Sequence, residues 1–205
     1  MSDDFVVFVE GMSSFDEFAA NGLDVRRKAN MAVNSALRYA RSESSKIMRK
    51  NINFPARYLT GANGRLKLTP SAADVLEGRI TGPFRARSLA RFVTNPDVRR
   101  GGKLRVRIKP GSASVVKGAF MIRLRQGDAL DEKNFNQGVA VRLKTGESLS
   151  GRRKLGASAT TWRGLTFLYG PSVDQVFRDA SQAVAPAAAD KLEAEFMRLL
   201  STILT

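Results

Sequence analysis

The most constraining stretch of this chain runs from residue 76 to residue 125, where short apolar-polar alternations are joined by turn residues and loaded with arginine. In Leu104-Arg105-Val106-Arg107-Ile108-Lys109 the apolar residues fall on one face of an extended strand and the cations on the other. Ile122-Arg123-Leu124-Arg125 repeats the pattern. From Arg85 to Arg125 the only acid is Asp97. A sheet built from such strands covers a core with one face and presents positive charge with the other. That surface suits binding or assembly better than a reaction centre.

Charge extends this reading to the whole chain. With 34 Lys+Arg against 19 Asp+Glu, the formal net charge is +15. Such a balance favours nucleic acid, acidic proteins or anionic surfaces without choosing among them. The 205 residues hold neither Cys nor His, which removes disulfides, thiolate nucleophiles, Cys/His zinc sites and His-based triads. No run of eighteen apolar residues is present, so no membrane span and no membrane partner are expected. The start, MSDDFVVFVEG, opens on acids and has too short an apolar run for a secretory signal, so assembly in the cytoplasm is expected.

Taken in order, Phe5 to Glu10 reads as a strand. Asp24 is a candidate cap for a long helix ending near Asn51, with Val25, Ala29, Val33, Ala36, Leu37, Ala40, Ser44, Ile47 and Met48 on its apolar stripe. Asn34 and Arg41 fall off that stripe. Residues 54–70 read as an extended arm with a turn at Gly61 to Gly64, after which the alternation of Arg65 to Thr69 could also make a strand. Strands are expected near 76–82, 85–94, 103–109 and 115–125, forming one central sheet, with turns at Asn95-Pro96-Asp97 and Pro110-Gly111. Another strand covers 138–143, and 145–163, rich in Gly, Ser and Thr, reads as a flexible loop. Leu165 to Tyr169 returns as a strand. Ser172, with Gln175 three residues on, fits a capping box opening a helical segment over 172–205, which Pro186 is expected to break or kink.

The fold class is therefore α+β: an antiparallel sheet flanked by a long N-terminal helix and a C-terminal helix, in a single domain over 1–205. The acids are scattered, and Asp128, Asp131 and Glu132 lack the oxygen-ligand spacing of a calcium loop. Gly61-Ala62-Asn63-Gly64-Arg65 lacks the Gly-Lys-Ser/Thr ending of a phosphate loop. No enzyme, cofactor or metal is expected. The candidate interaction residues are Arg85, Arg87, Arg91, Arg105 and Arg107 on the charged face, meeting partner acids or DNA phosphate. Arg152, Arg153 and Lys154 are the loop contact candidates.

Several segments together resemble the minor tail protein Z family of lambda-like tailed bacteriophages. They are the basic alanine-rich first helix, Phe54-Pro55-Ala56-Arg57-Tyr58-Leu59, Arg65-Leu66-Lys67-Leu68 and Arg85-Ala86-Arg87-Ser88-Leu89-Ala90-Arg91-Phe92. Val106-Arg107-Ile108-Lys109-Pro110-Gly111 and Gly118-Ala119-Phe120-Met121-Ile122 continue the series. Leu168-Tyr169-Gly170-Pro171-Ser172-Val173, leading into the last helix, is the most specific. The segment around 145–163 departs from the pattern, since family members are expected to be shorter and more basic there.

The resemblance implies a structural virion protein, without catalytic residues, that completes or terminates the tail at its head-proximal end. It implies a homo-oligomeric ring of about six subunits around the DNA channel, a closure that needs two different complementary patches per subunit. The partners it implies are the tail tube protein, the neck or head-tail connector proteins and, non-specifically, genomic DNA in the channel. The competing expectation is a stand-alone basic protein that binds nucleic acid non-specifically.

Overall fold

The computed structural model describes residues 5–8, 22–72, 75–86, 88–97, 102–124, 136–142, 159–162 and 165–203. They form an α+β chain of long helices and small antiparallel sheets. The described residues fall into two compact units. The first draws on Met1–Arg49, Phe54–Phe84 and Val173–Thr205, the second on Lys50–Asn53 and Arg85–Ser172.

The first unit is organised by helix α1 (Gly22–Asn51). Its buried positions, Val25, Ala29, Ala32, Val33, Ala36, Leu37, Ala40 and Met48, recur at three- and four-residue spacing. Alanine at so many of them lets the helix backbone approach its neighbours closely. The helix starts two residues before Asp24, so Asp24 lies in the first turn instead of capping it. There its carboxylate faces the positive end of the helix dipole and pairs loosely with Arg27 (3.7 Å).

Strands β1 (Phe5–Phe8), β2 (Lys67–Thr69) and β3 (Glu77–Thr81) form an antiparallel sheet in the order β1-β3-β2. Phe5 and Leu68 both stand opposite Ile80. Gly78 and Ile80 are the buried residues of β3. Leu37 of α1 seats so closely on Gly78 that any side-chain carbon there would collide with its Cδ1.

Residues 54–70 are not an extended arm. They hold helix α2 (Ala56–Thr60), a turn through Gly61 and Gly64, and β2. Leu59 and Leu66 are fully buried and Phe54 nearly so. Burying each such side chain contributes about 1.5–3 kcal/mol, which draws the segment into the core.

Polar residues of α1 fasten this segment further. Asn34 Nδ2 donates to Ser71 O (3.2 Å) while Ser71 N donates to Asn34 Oδ1 (2.9 Å). Arg41 Nε donates to Leu66 O (2.9 Å) and its Nη2 to Thr60 O (3.4 Å). Both residues fall outside the apolar stripe in sequence, yet both satisfy backbone groups that the helix covers.

Helix α3 (Val173–Ser201) buries Val173, Val176, Phe177, Ala180, Val184, Ala188 and Leu199. It runs through Pro186 without a break. The proline removes one intrahelical donor, but the helix is long enough to continue on both sides. Buried Asp174 in its first turn pairs with Arg178 (3.2 Å), one helical turn on. Near the other end Arg198 donates two hydrogen bonds to Glu195 (3.0 and 2.8 Å), which hold the Glu195 carboxyl below its ordinary range.

The second unit holds a two-stranded ribbon, β4 (Lys103–Val106) with β5 (Ser114–Lys117), and a four-stranded antiparallel sheet. That sheet consists of β6 (Ala119–Leu124), β7 (Asn136–Arg142), β8 (Ala159–Trp162) and β9 (Leu165–Leu168), in the order β6-β7-β9-β8. The single central sheet expected over 76–125 is thus divided among three sheets.

Two local causes divide it. The described residues of 85–94 do not form a strand. Ser88 Oγ accepts from Ala90 N (3.2 Å) and caps a 3-10 turn, Leu89–Phe92, whose three-residue period buries Leu89 and Phe92 together. The expected strand over 115–125 is interrupted by Gly118, whose φ of 68° turns the chain from β5 into β6. The expected turn at Pro110-Gly111 is present, with Gly111 at φ 75° and Ser112 N donating to Lys109 O (3.3 Å). Ala159–Trp162, assigned to the 145–163 loop from sequence, is strand β8 paired with β9. The remainder of that loop lies outside the described residues.

Two substitutions test this account of α1. Gly78→Ala is expected to lower stability by about 1–3 kcal/mol because Leu37 must move. Asn34→Ala is expected to cost a similar ~1–3 kcal/mol by orphaning the Ser71 backbone groups. Urea unfolding of each variant against the parent protein measures both.

Candidate functional site: a cationic ribbon

The ribbon places the sequence alternation in space. Along β4, Leu104 and Val106 are fully buried while Lys103 and Arg105 are exposed, as is Arg107 just beyond the strand. The antiparallel register sets Leu104 against Val116 on the buried face and Arg105 against Val115 on the open face. It also sets Lys103 directly opposite Lys117, both exposed. Like charges directly opposed across a ladder are destabilising, so this surface keeps an electrostatic cost that folding alone does not require.

The other edge of β4 is covered by the chain leaving the 3-10 turn. Arg107 N donates to Phe92 O (2.8 Å), Thr94 N donates to Arg105 O (3.0 Å), and Val93 bridges Val106. Asn95 then replaces a strand residue with its side chain. Its Oδ1 accepts from Arg105 N (2.6 Å) and its Nδ2 donates to Lys103 O (3.1 Å). Both edges of β4 are therefore satisfied, and the strand holds its cations on a fixed frame.

Of the five residues singled out in sequence, Arg105 and Arg107 lie on this ribbon. Arg91 is exposed on the 3-10 turn whose next residue, Phe92, bonds to Arg107. Arg85 is exposed in the segment leading into that turn. Arg87 lies outside the described residues, as do Arg152, Arg153 and Lys154.

Lys103, Lys117 and Val115 belong to the same face and were not singled out as a group from sequence. Lys103 shares the face of Arg105 by the period of the strand, whereas only the cross-strand register brings Val115 and Lys117 beside them. Asp97 is the single acid among the described residues of this unit, and no described ion pair engages Lys103, Arg105, Arg107 or Lys117. Such a face can hold carboxylates or phosphates, arginine by its bidentate fork and lysine as a point charge. No group of three or more potential metal-ligating side chains occurs among the described residues. No described helix is long and apolar enough to cross a membrane.

Compared with known proteins, the chain matches no family model, and neither a curated protein nor a solved structure shows significant similarity to it.

The ribbon yields two expectations. Lys117→Glu replaces a repulsive cross-strand pair with an attractive one and is expected to raise stability by about 0.2–1 kcal/mol, read from the thermal midpoint. Asn95→Ala is expected to speed hydrogen exchange at the Arg105 amide at least about ten-fold, because that amide loses its acceptor on the open edge.

Proposed function

We propose that this chain is a structural subunit that completes a phage tail at its head-proximal end, forming a ring around the DNA channel and joining the tube to the neck. The observation that carries the reading is the ribbon: a rigid, outward-facing set of cations around one exposed apolar residue, Val115, without acids of its own among the described residues. A cationic rim about an apolar centre is the pattern of a protein interface whose partner brings carboxylates. Residues of the most specific resembling segment, Leu168 to Val173, carry the chain from β9 through a bridge between Tyr169 and Ser88 into α3. The mechanism is steric and electrostatic. A closed ring covers the last layer of the tube and offers the connector a new surface, with Arg105 and Arg107 supplying charge-assisted hydrogen bonds to acidic neighbours.

Light scattering of the purified protein, alone and with tail tubes assembled without it, tests this directly. A closed ring, either in solution or formed on the tubes, is the expected result. Arg105→Glu with Arg107→Glu is expected to abolish joining of tails to heads while leaving the thermal midpoint within a few degrees, since both side chains are exposed. A monomer that ignores tubes and binds naked DNA overturns the tail reading in favour of a stand-alone nucleic-acid-binding protein.

A further inference from the structure

A second cationic surface lies in the first unit, to which none of the interaction residues assigned above belongs. An open cleft of about 860 Å³ is lined by Arg38 and Arg41 of α1 and by residues 61–69, including Arg65 and Lys67. A smaller cleft of about 260 Å³ shares Arg38 and Arg41 and continues along α1 past Ser45 to Arg49, with Thr60 on its other wall. Together they make a groove between one face of α1 and the segment from α2 to β2. Arg38, Arg41 and Arg49 are spaced by three and eight residues, which keeps them on one face of the helix while they climb roughly 16 Å along its axis.

The groove is built and not merely charged. Arg41 is held by its bonds to Leu66 O and Thr60 O, so the wall opposite α1 stays at a fixed distance. Gly61 N and Gly64 N are engaged within the turn, and a side chain at either glycine would strike backbone atoms. The turn is therefore a rigid lip, and the side-chain cations carry the recognition. Glu43, the acid of α1 in this stretch, is taken up by Lys46 (2.6 Å). Arg38, Arg49, Arg65 and Lys67 enter no described ion pair, and the three arginines and Lys67 are exposed.

We infer that this groove binds the sugar-phosphate backbone of a single nucleic-acid strand. Three features point to a chain of phosphates as the occupant. The cations form a track instead of converging on one point, as repeating phosphates require and a single small anion does not. The groove is open and lacks the enclosed apolar walls of a small-molecule site. None of the large exposed apolar side chains of the described residues lines it, so it has no anchor of the kind protein partners bury. On that last point it differs from the ribbon, whose open face includes Val115. Recognition is by charge and by hydroxyl and amide donors along the walls, without base reading. The inference does not rest on the tail-completion reading, since the groove belongs to the first unit and the ribbon to the second.

Fluorescence anisotropy with a labelled single-stranded oligonucleotide of about 20 nucleotides, titrated over a range of salt concentrations, tests it. The parent protein is expected to bind with log K falling linearly against log salt. Arg38→Gln, Arg49→Gln and Arg65→Gln combined should weaken binding at least about ten-fold at physiological salt and flatten the slope by about 2, near 0.7 per lost phosphate contact. If that triple variant melts well below the parent, the Arg38→Gln/Arg49→Gln pair, both exposed on α1, is read instead and should flatten the slope by about 1.4. Unchanged affinity and slope in the variants overturn the inference. So does a loss seen only in Arg105→Gln/Arg107→Gln, or displacement of the oligonucleotide by polyglutamate as readily as by unlabelled strand. Ring formation is scored separately, so failure here leaves the tail reading standing and the converse also holds.

Discussion

The seating of Leu37 on Gly78 is the contact on which the first unit depends. It brings α1 down onto β3 at a distance that no larger residue in the strand would permit. At that distance backbone groups of the intervening segment are partly buried under the helix and need partners. Asn34 and Arg41 supply them, bonding to Ser71, Leu66 and Thr60. Close packing and polar satisfaction are thus two sides of one arrangement, since the approach that buries the alanine face also creates the backbone groups that the helix must satisfy.

The same geometry produces the groove. Arg41 reaches across to pin the wall, and its neighbours one turn before and two turns after face the resulting space. In the second unit a comparable logic holds the ribbon. Asn95 and the residues around the 3-10 turn satisfy one edge of β4 and β5 satisfies the other. Charge is then displayed from a frame with little freedom to collapse around it. Display of that kind has a cost, visible in Lys103 facing Lys117, which the anionic partner proposed above would offset. The two surfaces differ in what surrounds the cations, apolar Val115 in one and hydroxyls and backbone in the other. On that difference rest the two proposals, a protein partner for the ribbon and a phosphate chain for the groove.

Much of this was legible in the residues. The helical period of α1 and the alternation of β4 survive directly, because both are local patterns imposed by burying one face. The Pro110-Gly111 turn was legible for the same reason, since a fixed φ followed by a residue free to take positive φ leaves few other conformations. In the stretch 85–94, apolar Leu89 and Phe92 suit a strand by composition, whereas their three-residue spacing and Ser88 favour the 3-10 turn that forms. Gly118 was passed over inside an apolar run, where its positive φ was the sign that one strand was two. Residues 54–70 were read as an arm because their anchors, Phe54, Leu59 and Leu66, are too far apart for any local period to register.

What the sequence determined alone was the class of protein: α+β, strongly basic, without the side chains of thiol, histidine or zinc chemistry, and with cations segregated from the core by periodicity. Tertiary structure decided which cations act together. Lys103 and Arg105 share a face by local alternation, but Lys117 and Val115 join them only through strand register. Arg65 joins Arg38 and Arg49 in one groove only because the segment that follows α1 folds back against it. Periodicity reports the face a residue occupies, but not which other face lies beside it, and that neighbour is set by contacts made across the fold.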